Sequence, residues 1–380
     1  MDFELTQDQK MIRETVRNFA QDELRPIVTV LENKGEFPAS IIKKMGELGL
    51  LGMVIPERYG GSALDSISYV IAIEEIAKVS ASVAITVSVS NSVCSYPIYK
   101  YGTESQKERY LKPLASGKVI GGFALTEPGA GSDTTNLKCR AEKRGDRYIL
   151  NGTKAWVTNA IEGQTFVVMA STDPAKKGRG ISSFIIDKDF RGFSFGKVED
   201  KLGLRCSKTS EIVMEDCEVP EENLLGNEGE GLKIALHTLD GSRIGVGAQA
   251  VGIAQAALDD AISYAQQRTA FEKPLIGHQA IQFMLADMAM QIEAARLLVW
   301  HASSLRELGA ASYTKEAAMA KYYASEMAQR VTSLAIQIHG AYGYSKDYNV
   351  ERYFRDARVT TIYEGTSEMQ KIVIARNLLR

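Results

Sequence analysis

Apolar and polar residues follow three rhythms along this chain, and each predicts a different kind of element. Behind Thr6 and Asp8, the apolar positions Met11, Val16, Phe19 and Leu24 recur at helical spacing, and Pro26 interrupts the helix they predict. A second helix is predicted over 38–48, stopping at Gly49. Residues 56–62, Pro-Glu-Arg-Tyr-Gly-Gly-Ser, have loop composition, and helices resume near Ser66 and continue to about Leu114. From about Val119 the period shortens. Residues 147–158 set β-forming side chains around Asn151-Gly152, a strong hairpin signal, and 166–170, 181–186 and 211–214 read as further strands. After Asn227-Glu228-Gly229 long helical periods return over 232–267, 281–308 and 312–338, with a closing helix from Met369. The pattern predicts a mostly α chain with a central β domain. It divides into an N-terminal helical domain (1–118), a small antiparallel sandwich or barrel (119–226) and a C-terminal four-helix bundle (227–380).

Two stretches imitate something else. Residues 79–99 carry no charge and are long enough to cross a bilayer. Ser80, Ser82, Thr86, Ser88, Ser90, Asn91, Ser92 and Ser95 are too many polar groups for lipid, and Pro97 breaks the run. The prediction is therefore a helix buried inside protein, with no membrane span. Gly245-Val246-Gly247-Ala248-Gln249-Ala250-Val251-Gly252 has the look of a dinucleotide loop, but it follows no strand and lies within a helical period. Close helix packing is its expected role.

Charge and composition then narrow the function. With 45 basic against 47 acidic residues the chain has no basic surplus for nucleic acid or for an anionic membrane surface. The four cysteines form no CxxC pair and the four histidines no HExxH, so no metal site is expected. Met1 to Leu5 show neither a basic nor an apolar leader region, so the expected setting is cytoplasmic and reducing.

Glu364 is the leading chemical candidate. It stands in Tyr363-Glu364-Gly365-Thr366-Ser367, just before the closing helix. Gly365 allows a sharp turn close to a ligand, and Thr366 and Ser367 are good N-caps. A carboxylate that removes a weakly acidic proton needs an apolar setting to raise its basicity. A glutamate here could equally serve the helix dipole, and local spacing does not choose between the two.

Five segments, in order, bear on that choice. They are 123–133 (Phe-Ala-Leu-Thr-Glu-Pro-Gly-Ala-Gly-Ser-Asp), 151–158 (Asn-Gly-Thr-Lys-Ala-Trp-Val-Thr), Arg268 to Phe271 with Gln279, 337–344 (Gln-Ile-His-Gly-Ala-Tyr-Gly-Tyr), and 363–370. In type, order and spacing this set resembles the acyl-CoA dehydrogenases, and the likeness spans essentially the whole chain. The resemblance implies bound FAD and oxidation of an acyl-CoA thioester to its trans-2-enoyl product, with Glu364 as the α-proton base. It implies flavin contacts from Phe123, Leu125, Thr126, Gly131, Ser132, Trp156 and Thr158, the last at flavin N5, and further cofactor contacts from Thr366 and Glu368. Arg268, Phe271 and Gln279, with the turn of Gln337, Gly340 and Ala341, are implied to serve the diphosphate and adenosine end, Arg268 and Gln279 reaching a neighbouring subunit's FAD. The resemblance also implies a homotetramer, a dimer of dimers. Ser132, Asp240, Arg243, Tyr363 and Gly365 are implied to meet the acyl-CoA.

Taken as residues alone, Trp156 could be an ordinary core aromatic, 129–132 a plain turn and Arg268 a surface cation. Some branched-chain members of the family carry the base on the first bundle helix, but the matching position here is Ser242 or Gly241, neither acidic. That leaves Glu364, with Asp240 as the nearby rival and an expected ligand contact. The wording of 199–203 and 239–245 is most similar to short-chain, butyryl-type members. Branched, cyclic and dicarboxylic acyl groups remain alternatives, as do an acyl-CoA oxidase and a non-catalytic CoA-binding scaffold. The implied electron acceptor is electron-transferring flavoprotein.

Overall fold

The computed structural model describes residues 4–379, so the leader reading at Met1 to Phe3 falls outside the described residues. Eight helices come first: α1 (Gln7–Phe19), α2 (Arg25–Lys34), α3 (Ala39–Glu47), α4 (Ser66–Ala77), α5 (Ala81–Val89), α6 (Tyr96–Tyr101), α7 (Glu104–Gln106) and α8 (Lys112–Ala115). Thr6 caps α1 by accepting from Gln9 N at 3.2 Å, and Asp65 caps α4 by accepting from the N–H groups of Ile67 and Ser68.

Neither Pro26 nor Pro97 breaks its helix. A wide π-helical turn precedes each, at Ala20–Leu24 and Ser90–Ser95, and a third at Lys107–Leu111 precedes Pro113. Each proline then falls on the first turn of a new α segment. A proline clashes with the carbonyl four residues back and lacks the N–H that would bond it. The extra residue of a π-turn rearranges those carbonyls, so the chain stays helical through the proline. The uncharged stretch is buried as expected, with Ser80, Ser82, Thr86, Ser90 and Asn91 fully enclosed. Among the described residues no helix is long and apolar enough to cross a membrane.

The central sheet contains β1 (Gly121–Ala124), β2 (Arg140–Arg144), β3 (Arg147–Thr158), β4 (Thr165–Ser171), β5 (Ile181–Asp187), β6 (Phe193–Val198), β7 (Thr209–Pro220) and β8 (Leu224–Leu225). The order is β6-β7-β3-β2-β4-β5-β8, with β1 joined to β4. Pairing is antiparallel except where β1 and β2 meet β4. The hairpin expected at Asn151-Gly152 is not there. Strand β3 runs straight through those residues, and the turn lies at Gly145-Asp146, where Arg144 pairs with Arg147. Asn151-Gly152 marks instead a slip in register against β7. Gly152 (φ +144°) is needed because a Cβ there would stand 2.8 Å from Cys139 Cα. Asn151 accepts from Asp216 N at 2.8 Å, so its side chain ties the irregular strands together.

The C-terminal part contains α9 (Gly231–Gln267), a hairpin of β9 (Thr269–Ala270) and β10 (Lys273–Pro274), then α10 (Gln279–Glu307), α11 (Thr314–His339), α12 (Val350–Arg358) and α13 (Ser367–Leu378). Three long helices and the closing one match the predicted bundle, and α12 is an additional short helix. The glycine-rich stretch of α9 serves close packing. A Cβ on Gly252 would lie 2.4 Å from the Glu74 carbonyl of α4, and one on Gly245 would lie 2.6 Å from the Tyr69 hydroxyl. Accordingly α4, α5, α9 and α11 share one apolar core, with Ile73, Ile76, Val83, Ile85, Val251 and Val331 in it.

Buried acids join the layers. Glu32 of α2 accepts from Arg205 N at 2.9 Å and from Cys206 Sγ at 3.1 Å. Asp356 of α12 accepts from Leu204 N at 2.7 Å. Burial, reinforced by the nearby Glu32 charge, pushes the Asp356 carboxyl upward. All four cysteines are buried free thiols.

Candidate active site

The turn between α12 and α13 bears the candidate base. Glu364 (φ +52°) and Gly365 (φ +93°) are both left-handed, a conformation a glutamate adopts only under constraint. Thr366 caps α13, its hydroxyl facing Met369 N. Ser367, also expected as a cap, begins the helix and donates to Glu326 Oε1 at 2.6 Å. The constraint on the turn comes from two side chains. Gln370 Nε2 donates to the Glu364 carbonyl at 3.2 Å and the Gly365 carbonyl at 2.8 Å. Lys321 Nζ of α11 donates to the same Gly365 carbonyl at 2.8 Å.

The Glu364 carboxylate points inward. Its Oε2 is shielded from solvent and has no hydrogen-bond partner. Burial raises its pKa, and Ser242, then Lys321 and Arg243, pull in the other direction. Ser242 and Arg243 come from α9, and both act on the Glu364 carboxylate. Arg243 is itself buried and pairs with Asp240 at 2.6 Å. Thr314 Oγ1 donates to the second Asp240 oxygen at 2.6 Å. Asp240, the rival base, therefore has both oxygens engaged, whereas Glu364 has one free. Tyr363 is half-buried and donates to Gln249 Oε1, while Gln249 Nε2 donates to the Ala81 carbonyl at 2.8 Å. This links the turn to α9 and α5. Beyond Gln249, the Tyr69 hydroxyl meets Ser88 Oγ at 2.8 Å.

A second group of predicted residues assembles at the rim of the sheet. Between Lys154 and Val157 strand β3 bulges against β7. Trp156, at φ +60°, is turned outward there and is 59% exposed, so it is not a core aromatic. The bulge is held by Ala155 N, which donates to the Thr126 carbonyl at 2.9 Å. Gly122 of β1 lies so close to Thr158 that a Cβ would be 2.9 Å from its carbonyl. Phe123, Leu125 and Thr126 thus lie along the end of β3 that carries Trp156 and Thr158. Gly129, Gly131, Ser132 and Glu368 are exposed, and a Cβ on Gly129 or Gly131 would meet open space.

The third group lies on the surface, and among the described residues no hydrogen bond or ion pair joins it to Glu364. The Arg268 guanidinium sits 5.6 Å from the Tyr342 ring centre, beside the Gly340–Tyr344 turn. Phe271 and Glu272 occupy the tight β9–β10 turn at φ +52° and +66°, and Phe271 is 91% exposed. Gln279, Gln337, Gly340 and Ala341 are exposed as well.

Lys321, Gln249 and Gln370 were not among the sequence candidates. The one signal was a lysine amid Ala317, Ala318, Ala320 and Ala324 on α11, a cation on a face otherwise built for packing.

Helical layers around a sheet, with a shielded carboxylate on a strained turn and an outward tryptophan on a bulged strand, describe a class of flavin-using dehydrogenase. Residues 6–118, 122–217 and 229–379 match the N-terminal, middle and C-terminal domains of acyl-CoA dehydrogenase. The short-chain specific acyl-CoA dehydrogenase of Mus musculus mitochondria is 50% identical over 377 residues, covering 99% of this chain and 91% of the mouse protein. The structure of butyryl-CoA dehydrogenase from Megasphaera elsdenii is 48% identical, with full coverage of both chains and a TM-score of 0.98. A chain solved in work on the electron transferring flavoprotein of Acidaminococcus fermentans is 51% identical, again with full coverage, and has a TM-score of 0.99. The chain belongs to the acyl-CoA dehydrogenase family, and its activity is FAD-dependent dehydrogenation of an acyl-CoA thioester. The residues present fit the cofactor: an exposed indole set by a bulge beside Thr126 and Thr158, next to glycines with open space before them, makes a face for a flat ring.

Proposed function

We propose that the chain oxidises short-chain acyl-CoA, with Glu364 as the base for the α-proton. The observation that carries this is the Glu364 carboxylate, shielded, unpartnered at Oε2 and raised in pKa by burial. Bound FAD supplies the acceptor for the β-hydride. Phe123, Leu125, Thr126, Trp156 and Thr158 hold and orient the ring, Thr366 and Glu368 border it, and Gly131 and Ser132 close over cofactor and ligand. The Glu364 N–H donates to the thioester oxygen, which stabilises the charge that develops as the proton leaves. Oε2 takes the proton, and exclusion of water by the bound ester keeps it basic. Tyr363 and Gly365 flank the acyl group. Asp240 and Arg243 act as a buried pair on its CoA side.

A short acyl group is supported by the relatives named above and by Tyr363, the neighbour of Glu364, whose hydroxyl is held by Gln249. Assembly as a homotetramer is supported by the third group. Phe271 is almost fully exposed on a turn that non-glycine residues avoid, and with Arg268, Gln279, Gln337, Gly340 and Ala341 it suits the diphosphate and adenosine end of a cofactor shared between subunits. We take the chain as units 1–118, 119–226 and 227–380, in a cytoplasmic setting, with electron-transferring flavoprotein as the acceptor. The test is anaerobic titration with butyryl-CoA while flavin absorbance is followed. The wild type should bleach, and Glu364→Gln should bind FAD but bleach ~10²-fold more slowly or worse, the scale of general-base catalysis. Bleaching at the wild-type rate in that variant would remove Glu364 from the role.

A further inference from the structure

We propose that Lys321 is a positioning residue for the reaction, acting through the turn that carries Glu364; this rests on Glu364 being the base. Helix α11 grips the segment 359–367 at three points on one side. Lys321 Nζ donates to the Gly365 carbonyl at 2.8 Å, Ser325 Oγ donates to the Thr360 carbonyl at 2.8 Å, and Glu326 accepts from Ser367 Oγ at 2.6 Å. Positions 321 and 325 are one helical turn apart and 326 follows directly, so a single rigid element sets all three contacts. Lys321 is the contact nearest the carboxylate.

Its burial is the unusual part. The Lys321 side chain is fully enclosed, yet among the described residues it forms no salt bridge, and the hydrogen-bond acceptor it meets there is a backbone carbonyl. A lysine buried only for stability would be expected to meet a carboxylate directly. Desolvation lowers its pKa to about 8, while Glu364, Glu326 and Glu368 act to raise it and Arg243 to lower it. What the ammonium holds is the one carbonyl whose placement fixes two successive left-handed residues, Glu364 and Gly365. Gln370 Nε2 donates to the same carbonyl, also at 2.8 Å. With both donors in place, neither the peptide plane nor the Glu364 side chain that leaves it can rotate freely. Release of one donor lets the turn relax toward ordinary dihedrals and swings Oε2 away from the α-carbon.

The test compares Lys321→Met, Lys321→Arg and Glu364→Gln in the FAD-loaded enzyme. Methionine keeps the apolar stem and removes the donor. Lys321→Met should lower the rate of flavin reduction at saturating butyryl-CoA about tenfold or more, since small displacements of a reacting group carry penalties of that order. KM should change much less, and Lys321→Arg should recover part of the rate. Amide hydrogen exchange over 359–367 should speed up in Lys321→Met, a readout independent of turnover. A wild-type reduction rate in Lys321→Met would overturn the proposal, and so would a slower rate with unchanged exchange. If Lys321→Met does not fold, Gln370→Met removes the second donor and is read in the same way. Glu364→Gln separates the two assignments: if it is inactive while Lys321→Met is normal, the positioning role alone fails, whereas an active Glu364→Gln removes the base itself.

Discussion

Glu127 and Glu364 are both shielded carboxylates and share little else. Glu127, within the segment 123–133, has both oxygens engaged. Its oxygens accept from Lys138 N at 2.6 Å, Cys139 N at 3.0 Å and Lys154 Nζ at 2.8 Å. Lys154 also donates to the Leu125 carbonyl at 3.1 Å. This pair braces the loop on the sheet side. Glu364, on the helical side, has an oxygen with no partner and sits on a strained turn that other residues hold. A carboxylate whose lone pairs are all engaged stabilises structure, and one left unengaged in a shielded place retains the capacity to take a proton. The fold spends its hydrogen bonds on the backbone around Glu364 rather than on its side chain.

The contrast can be broken most forcefully at Glu127. Glu127→Ala leaves a fully buried Lys154 ammonium without its counter-charge, and denaturant unfolding should show a loss of about 3–5 kcal/mol. An unchanged midpoint would mean that the saturated acid is no brace at all. The next test is pH. The Glu364 carboxyl is raised above its ordinary value of 4.5, so its basic form fills late as pH rises. Flavin reduction should therefore climb ~10-fold per pH unit along its acid limb and level off above the range of an ordinary carboxylate. A limb centred on the ordinary value would place Glu364 in solvent-like surroundings.

Asp356 sharpens the comparison with the smallest effect. It is buried like Glu127 but sits near Glu32, so its pKa is raised from 3.8. Between that ordinary value and the raised one the folded chain holds a proton that the unfolded chain has released. Stability should thus decline as pH rises through the mildly acidic range. Asp356→Asn keeps an acceptor for Leu204 N and removes the titration. The decline should shrink by an amount on the order of 1 kcal/mol, read from thermal midpoints at pH 5 and pH 8. An identical decline in both proteins would assign it elsewhere.

Much of the fold was legible in the residue pattern because its signals are local. The long periods of α9, α10 and α11 and the strand at Phe166 state their own geometry. The misreadings were also local. Asn151-Gly152 has the composition of a hairpin, but the partner strand, not the dipeptide, decided that it would be a bulge. Pro26 and Pro97 read as breaks because nothing in one dimension announces a π-turn beside them. In the site, Glu364, Thr158 and Trp156 were visible through their motif company. Lys321 was not, since a lysine in an alanine-rich helix carries the same symbol whether it meets water or a carbonyl.

By itself, then, the amino-acid order determined the sequence of helices and strands, the carboxylate before the last helix, and the family's motifs in register. Only the tertiary structure decided that α4 and α9, nearly two hundred residues apart, would meet at Gly252, that Asp240 would be consumed by Arg243 and Thr314, and that Glu364 would keep a free oxygen. The reason is physical. Helical and strand periods depend on neighbours within a few bonds, whereas desolvation and hydrogen-bond saturation depend on which distant atoms fill the surrounding space.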